Sequence, residues 1–377
     1  MKNLILLLLL SPFLCNGHQA TIFFDIENST AKNIGILLID DYTNPQVLFG
    51  DFYVDIPLTE GKTKWTYEIT KPVSIKIFYE STETKKSFEY YFFITPGDKL
   101  FFSANEASFE NSIQVTGQGR NNNQPMIQAL HDSFSHNLNT IFQKDTLPYP
   151  ALNAIQEKNS ILHNALNEYI KKYRPSKEFI RNESIYLELF SMSQFFYYKN
   201  RQKFHIGKAY YRNEELWQGL EDSFLLECQL NDENLLSITD FPLFISTYLM
   251  RTKERLWMNP ELMAHFYEND EDVKMIENDP ENFLREKIIN KYFTGKTAEF
   301  LYALLFQGAG EENDDNLPEI YSRFKQKYPT SQYLLFIKPK IVKIEERRNR
   351  KLTEEILLIT ETESIQTFEE VLNLVKG

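Results

Sequence analysis

Few residues in this chain have the types and spacing that chemistry requires, and the closest histidine pair is His131 with His136. Together with Asp132 they would suit a divalent metal ion, for which imidazole and carboxylate are common ligands. Five residues along a helix, however, set two side chains about 140° apart around its axis. Ligands on one helix face are three or four residues apart. We therefore predict that these residues bind no metal.

Thiol chemistry needs an attacking thiolate and a second thiol close to it. The two cysteines are Cys15, which lies in an N-terminal leader described below, and Cys228. Once the leader is removed, one thiol is left and cannot close a disulfide. The residues before Cys228 include Phe224, Leu225 and Leu226, and no His or Arg adjoins it. We predict an inert core cysteine.

Two further patterns resemble ligand loops only in part. Gly117-Gln118-Gly119 lacks the third glycine of a dinucleotide-binding loop, so we interpret it as a turn between domains. The acidic runs from Glu268 to Asp272 and from Glu311 to Asp315 lack the glycine and the terminal glutamate of a calcium loop, and we expect solvated loops there. The sequence thus predicts no catalytic, cofactor-binding or metal-ligating residue, and no cofactor.

Residues 1–17 have the charged start, short apolar core and small-residue exit of a secretory signal peptide. Cleavage after Gly17 would leave a mature protein that begins at His18 in the periplasm or cell envelope. Lipid attachment at Cys15 is the less favoured alternative, because Pro12, Phe13 and Leu14 precede it where that processing site requires small side chains. No later stretch reaches the ~20 apolar residues of a membrane-spanning helix.

The net charge of −12 restricts the class of partner. Nucleic acids and anionic lipid surfaces attract cationic faces, so neither is expected to bind this acidic chain. The expected partners are envelope proteins or peptides, and the oligomeric state is left open.

Residues 18–119 show the alternation of strands with one buried face. Trp65 to Ile69 and Val73 to Ile77 place an apolar side chain at every second position. Turn-forming residues separate further short runs, which we expect to be strands: Ile34 to Ile39, Val47 to Val54, Phe88 to Ile94 and Leu100 to Ser103. Seven or eight strands at this spacing predict an antiparallel β-sandwich.

Residues 120–350 show a helical period instead, so the expected fold class is α+β, a β-sandwich followed by an all-helical domain. Apolar residues recur every three or four positions at Ile185, Leu189, Met192 and Phe196, and again at Leu334, Ile337, Ile341 and Ile344. Prolines divide the region into segments of helix length. Segment 351–377 changes character again, with a short apolar run before a capping-box helix start.

The order of these parts resembles the amino-terminal region of the TlpA-like, thioredoxin-family envelope thiol-disulfide reductases. The residues that carry the resemblance are Ile94-Thr95-Pro96-Gly97-Asp98-Lys99-Leu100, Tyr328-Pro329-Thr330-Ser331-Gln332-Tyr333 and the closing Thr367-Phe368-Glu369-Glu370-Val371-Leu372 to Lys376-Gly377. In that family a Trp-Cys-x-x-Cys redox domain follows. The resemblance therefore implies that residues 351–377 are a linker or the start of a truncated thioredoxin-like domain.

The resemblance implies a non-catalytic accessory region of a periplasmic reductase, which positions or selects partners for a redox domain. Cys228 does not occupy a position of the redox motif, so no catalytic residue is carried over and the chain is expected not to be an enzyme. One alternative is a free-standing envelope protein whose helical domain offers a peptide- or protein-binding groove. Another is an enzyme with an unrecognised carboxylate site. A Trp-Cys-x-x-Cys frame just downstream of Gly377 would favour the first hypothesis.

Overall fold

Alternating apolar and polar side chains favour strands, because such a segment buries one face and exposes the other. The computed structural model describes these residues: 19–38, 43–50, 53–132, 147–206, 211–227, 230–238, 241–309 and 315–351. Within them, strands dominate up to Gln118 and helices follow. The expected α+β class is confirmed.

The strands form two four-stranded sheets. They are β1 (Gln19–Glu27), β2 (Asn33–Leu38), β3 (Tyr53–Pro57), β4 (Lys62–Glu68), β5 (Val73–Glu80), β6 (Ser87–Ile94), β7 (Lys99–Asn105) and β8 (Gln114–Gln118). The first sheet has the order β4-β1-β7-β8, and the second has the order β3-β2-β5-β6. Neighbouring strands are antiparallel except β1 and β7, which pair in parallel. The sandwich is therefore rich in antiparallel pairs but not purely antiparallel.

The inner faces of the two sheets share one apolar core. Every second residue of β1 is buried in it: Ala20, Ile22, Phe24 and Ile26. Across the core, Tyr90 of the second sheet meets Phe102 of the first edge to face, with ring centroids 5.2 Å apart, and Phe92 meets the same ring at 5.8 Å. Burying a side chain of this size stabilises the fold by roughly 1.5–3 kcal/mol, so the core holds the two sheets together.

The strand expected from Val47 to Val54 is wrong in its first part. A short helix, α1 (Pro45–Phe49), precedes β3. The Asn44 side chain caps it by accepting a hydrogen bond from the Gln46 backbone N–H at 3.0 Å, and Pro45 takes the first helical position, where its missing N–H costs nothing. This local cap outweighs the β propensity of the valines and aromatic residues that follow.

The segment after β8 is pinned to the sandwich by Asn123, which is fully buried. Its amide Oδ1 accepts from the Phe93 backbone N–H at 2.7 Å, and its Nδ2 donates to the Phe93 carbonyl at 2.9 Å. One side chain thus mimics a neighbouring strand beside β6. Asn122 Oδ1 in turn accepts from the backbone N–H of Ser176 at 2.9 Å, which ties the segment to the helices that follow.

Short helices α2 (Phe109–Ser112) and α3 (Gln128–Asp132) lead into four longer ones: α4 (Pro148–Tyr173), α5 (Lys177–Ile206), α6 (Glu214–Glu227) and α7 (Phe241–Met258). Helix α4 ends at Arg174, which adopts a left-handed conformation and donates its N–H to the Ile170 carbonyl. Of the stripe expected on α5, Leu189 and Phe196 are buried and the other two members are half-buried.

The chain divides into two compact units between Ile245 and Ser246. The first unit contains the sandwich together with α1 to α6, whereas the sequence places a domain boundary near residue 119. The second unit contains the last part of α7 and six more helices: α8 (Pro260–Phe266), α9 (Asp270–Asn278), α10 (Phe283–Tyr292), α11 (Gly295–Gly308), α12 (Leu317–Lys327) and α13 (334–351).

Helices α10 to α13 pack through aromatic rings and buried aliphatic side chains. Tyr302 of α11 stacks on Phe324 of α12 with centroids 5.1 Å apart. The expected stripe on α13 is confirmed, since Ile337, Ile341 and Ile344 are buried. Lys340 of α13 donates to two carbonyls at the end of α11, which satisfies groups that a helix terminus leaves without partners. Over the described residues, no helix is both long and apolar enough to cross a membrane.

Candidate functional site

His131, the first residue singled out by sequence, is buried in the first unit. Its ring stacks on Tyr91 of β6 at 4.6 Å and lies 4.9 Å from Tyr186 of α5. Its Nε2 lies 3.3 Å from Glu183 Oε2, without the alignment of a hydrogen bond. His131 therefore joins α3 to α5 and β6 through ring packing.

His136, Cys15, Cys228 and the segment 352–377 lie outside the described residues. The same holds for the predicted signal peptide and for most of the second acidic run. In the part of the chain that the structure describes, no three His, Cys, Asp or Glu side chains are grouped so that they could hold a metal ion.

The first acidic run is not the solvated loop that the sequence suggested. Asn269 caps α9 by accepting from the backbone N–H of Asp272 at 2.9 Å, so Asp270 to Asp272 form the first helical turn. Acidic side chains stabilise that end of a helix. Burial alone would raise the pKa of Asp272, but its hydrogen bond from Lys287 and its backbone partner at Glu268 hold the pKa below the ordinary value.

The helix start made by this acidic run forms one wall of an open groove with a volume of about 480 Å³. The other wall is α8, which is likewise capped by an asparagine, Asn259, with Pro260 in its first turn. The groove is lined by Pro260, Met263, Ala264, Tyr267, Glu268, Asn269, Asp270 and Val273. Two consecutive short helices, each of which begins at an asparagine cap, thus form a concave surface between them.

The groove has an apolar floor and an acidic rim. Its apolar lining comes mainly from Met263, Ala264, Tyr267 and Val273, whereas Glu268 and Asp270 bring carboxylates. Burial, and after it the charge of Glu277, raise the pKa of Tyr267, so the phenol stays neutral near pH 7 and can donate a hydrogen bond. An apolar group with a cationic end matches this arrangement.

The helices around the groove also expose large apolar side chains. Trp257 and Met258 end α7 and are 48% and 80% exposed, and Leu262 of α8 is 37% exposed. Exposed apolar side chains that occur singly are ordinary, whereas a contiguous apolar patch marks an interaction surface. Methionine and tryptophan are also residue types that protein interfaces favour.

Two other polar clusters hold carboxylates. In the sandwich, Glu106 accepts hydrogen bonds from the Thr30 backbone N–H at 2.6 Å, from the Thr30 and Ser81 hydroxyls at 2.7 Å each, and from the Tyr79 hydroxyl. Burial raises the pKa of Glu106, but these hydrogen bonds, that from Tyr79 foremost, lower it to about 2. The carboxylate is therefore a structural tie that stays charged.

In the second unit the carboxylate is Glu286 of α10, which is buried. The Arg323 guanidinium of α12 donates to both of its oxygens, at 2.9 and 2.5 Å, and the Tyr302 hydroxyl of α11 donates at 3.3 Å. The hydrogen bond to Glu286 raises the pKa of Arg323. This cluster ties three helices together, and its carboxylate already has partners.

No protein-family model matches this chain, and neither a curated protein nor a solved structure shows significant similarity to it. The groove is therefore described from its geometry alone. Sequence reasoning missed it because it interpreted the acidic run as loop. The signal that could have found it is the pair of segments Asn259-Pro260 and Asn269-Asp270, each of which begins a helix.

Proposed function

We propose that this chain is a binding protein of the cell envelope and that the groove between α8 and α9 binds a segment of a partner protein. The observation that carries the proposal is the groove itself, with its apolar floor and acidic rim. The segment that fits is a peptide with one apolar anchor residue flanked by Lys or Arg.

The apolar floor would supply most of the affinity. Desolvating the anchor against Met263 and Val273 contributes roughly 25 cal/mol per Å² of apolar surface removed from water. The carboxylates of Glu268 and Asp270 would add selectivity for a cationic partner and faster association, both weakened by salt. Recognition of a peptide by an apolar groove that also carries charge is a common binding mode.

The resemblance to TlpA-like reductases supports a more specific role. In that role the chain is the non-catalytic accessory region of a periplasmic thioredoxin-family thiol-disulfide reductase, and it selects or positions the proteins on which a redox domain acts. The alternative is a free-standing envelope binding protein, which would use the same groove. Both proposals make the chain a partner-binding protein that is not itself an enzyme.

Fluorescence polarisation with a labelled 12-residue peptide, one central Leu among lysines, tests the groove. We expect a dissociation constant of roughly 10–100 μM for the full chain. Ala264→Phe fills the groove from an exposed lining position and should weaken binding by about tenfold or more. The matched control is Ala107→Phe, at an exposed position of the sandwich, which should leave binding unchanged.

The charge of the rim is tested separately. Glu268→Gln and Asp270→Asn should each weaken binding by roughly threefold at low salt, whereas Glu346→Gln, on an exposed part of α13, should have no effect. A peptide in which glutamates replace the lysines should not bind. Equal binding of both peptides, or binding that survives Ala264→Phe, would show that the groove is not the site.

A further inference from the structure

The outer face of the first sheet carries two aromatic rings on neighbouring strands, the half-buried Phe23 and the exposed Phe101. Phe23 of β1 lies directly across from Phe101 of β7 in the parallel register. Their rings stack with centroids 4.8 Å apart and planes 10° apart, and Phe101 is 50% exposed. The neighbouring residues Ile22 and Leu100 point to the core and are fully buried. Parallel rings this close lie face to face, so what solvent meets is mainly the exposed half of Phe101. We call this ring pair, on the solvent side of the sandwich, the tile.

Hydrogen-bonding side chains surround this tile at fixed positions. The register places these residues beside it on the outer face: Thr21, Thr66, Ser103, Thr116 and Gln118. Strands β1 and β7 are both interior to the sheet, so the backbone beneath the rings is hydrogen-bonded on either side. Adjacent strands are about 4.8 Å apart. The face is therefore a rigid, flat array of hydroxyl and amide groups around two rings.

A glycine lies close to one side of the tile. Gly117 of β8 has a φ of +94°, and a Cβ there would lie 3.1 Å from the Phe101 ring and 2.1 Å from the Lys99 carbonyl oxygen. A side chain at this position would both strain the backbone and press on the ring. Only glycine therefore fits this position, where the backbone of β8 packs closely beside Phe101.

Two lysines lie beside the tile. Lys64 of β4 lies across from Phe23, with its Nζ 5.6 Å from the ring centroid, and Lys99 precedes Phe101 by two residues on the same face. Within the described residues neither ammonium group has a carboxylate partner. By contrast Lys62 on the same face pairs with Asp25 at 3.0 Å.

We propose that this face binds a glycan that carries isolated carboxylate groups among neutral sugars. The apolar side of a sugar ring, formed by its C–H groups, would pack against the exposed half of the Phe101 ring. Its hydroxyls match the threonine, serine and glutamine side chains, each of which can both donate and accept. A uronic acid carboxylate would lie against Lys64 or Lys99.

Other occupants fit this face less well. Two rings in a polar surround offer much less apolar surface than a stable protein interface buries. A densely charged polyanion would be repelled by a chain with a net charge of −12. A glycan with one carboxylate over several sugars needs only the two lysines present. This inference concerns the sandwich and is independent of the groove.

Calorimetric titration of the full chain with two tetrasaccharides tests the proposal. One is xylotriose bearing a single glucuronic acid, and the other is neutral xylotetraose. We expect a dissociation constant of roughly 0.1–1 mM for the acidic sugar and weaker binding of the neutral one. Phe101→Ala should weaken binding of both by about tenfold, while Phe101→Tyr should retain it.

Charge variants provide the second arm and leave the rings intact. Lys64→Gln and Lys99→Gln should each weaken binding of the acidic sugar by about threefold and leave the neutral sugar unaffected. Lys32→Gln, at an exposed position away from the tile, is the matched control. Circular dichroism confirms that each variant is folded.

Three results would overturn the proposal. They are no saturable binding of the acidic sugar by the unchanged protein, equal affinity for both sugars, and binding that persists in folded Phe101→Ala. A tetraglutamate peptide and a short single-stranded oligothymidylate serve as competing ligands. If either binds the protein more tightly than the acidic sugar and loses binding in Phe101→Ala, the face belongs to an acidic protein segment or to a nucleic acid instead.

Discussion

Glu106 in the sandwich and Glu286 in the helical unit are both hydrogen-bonded carboxylates, but different kinds of donor stabilise them. Glu106 is surrounded by three hydroxyls and one backbone N–H, which come from the connection after β1, the end of β5 and the residue after it. Glu286 relies on one guanidinium and one phenol. At the end of a sheet, several strands and their connections place many short side chains around one carboxylate. Between two packed helices, a single long side chain reaches across to it.

This difference predicts how each region tolerates the loss of a partner. A carboxylate with four donors keeps three when one is removed. A buried carboxylate that loses its hydrogen-bonded cation keeps only weaker interactions, such as that of Glu286 with Lys327, and a poorly compensated buried charge is among the most costly defects in a protein. Substitutions at the two clusters should therefore differ in size although both remove hydrogen bonds.

The largest effect is expected from Arg323→Ala. It leaves Glu286 buried without its cation, and we expect the free energy of unfolding to fall by about 2–3 kcal/mol, below the value for a fully buried pair because Arg323 is itself 42% exposed. Urea denaturation followed by circular dichroism measures it. The control is Arg348→Ala, whose exposed pair with Glu319 should contribute less than about 1 kcal/mol. An equal loss of stability in Arg323→Ala and Arg348→Ala would show that the buried ion pair contributes no more than the exposed one.

Removing the other carboxylate should cost less. Glu106→Ala leaves the buried hydroxyls of Tyr79 and Ser81 without this acceptor, but Glu106 is itself only half-buried, so water can take its place. We expect a loss of about 1–2 kcal/mol. Glu110→Ala, at an exposed position four residues further on, is the matched control and should change stability by no more than about 0.5 kcal/mol. If Glu106→Ala destabilises the protein more than Arg323→Ala, the number of hydrogen-bond donors around each carboxylate does not explain its contribution to stability.

A single donor should matter less still. Ser81→Ala removes one of four hydrogen bonds to Glu106, together with the contact that Ser81 Oγ makes to the Thr84 backbone N–H. The expected loss is about 0.5–1 kcal/mol, since the remaining donors hold the carboxylate. Chemical denaturation of this variant and of Glu106→Ala compares the two losses in the free energy of unfolding. Equal losses would mean that the Ser81 hydrogen bond alone accounts for the contribution of Glu106.

The smallest effect concerns pH. The folded pKa of Glu106 is about 2, below the ordinary value of 4.5, so its stabilising contribution is complete above pH 4.5 and is lost as pH falls towards 2. Glu106→Gln should therefore lose less stability than the unchanged protein between pH 5 and pH 2 in thermal melts. Asp272 and Glu281 also have lowered pKa values, but they titrate in both proteins and cancel in the difference.

Much of the sandwich follows from the sequence because its signal is local. Alternation places β4, β5 and β6 where they were expected, within a few residues. The parallel pairing of β1 with β7 has no local signal, since it depends on which strands meet after collapse. Helix α1 has a local signal, the capping pair Asn44-Pro45, but the apolar run from Val47 that follows it favours a strand.

The candidate site was harder to predict than the fold. Its lining combines Met263 of α8 with Val273 of α9, and only the turn between the two helices brings them together. Periodicity indicates that each helix has an apolar face, but not the angle at which consecutive helices meet. His131 was the reverse case: its residue type suggested chemistry, whereas packing between two tyrosines accounts for it.

The parallel pairing of β1 with β7 has a kinetic consequence. Glu27 and Asn105 are partners in that register although they lie 78 positions apart in the chain. Closing so long a loop has a high entropic cost. Topologies rich in contacts between distant residues also fold more slowly than those in which residues close in sequence make most contacts. Strand β1 can pair with β4 early, but the first sheet is complete only once β7 and β8 have left the ribosome. Until then the edge of β1 offers unpaired N–H and C=O groups, at which a nascent chain is open to chaperones and to misassembly.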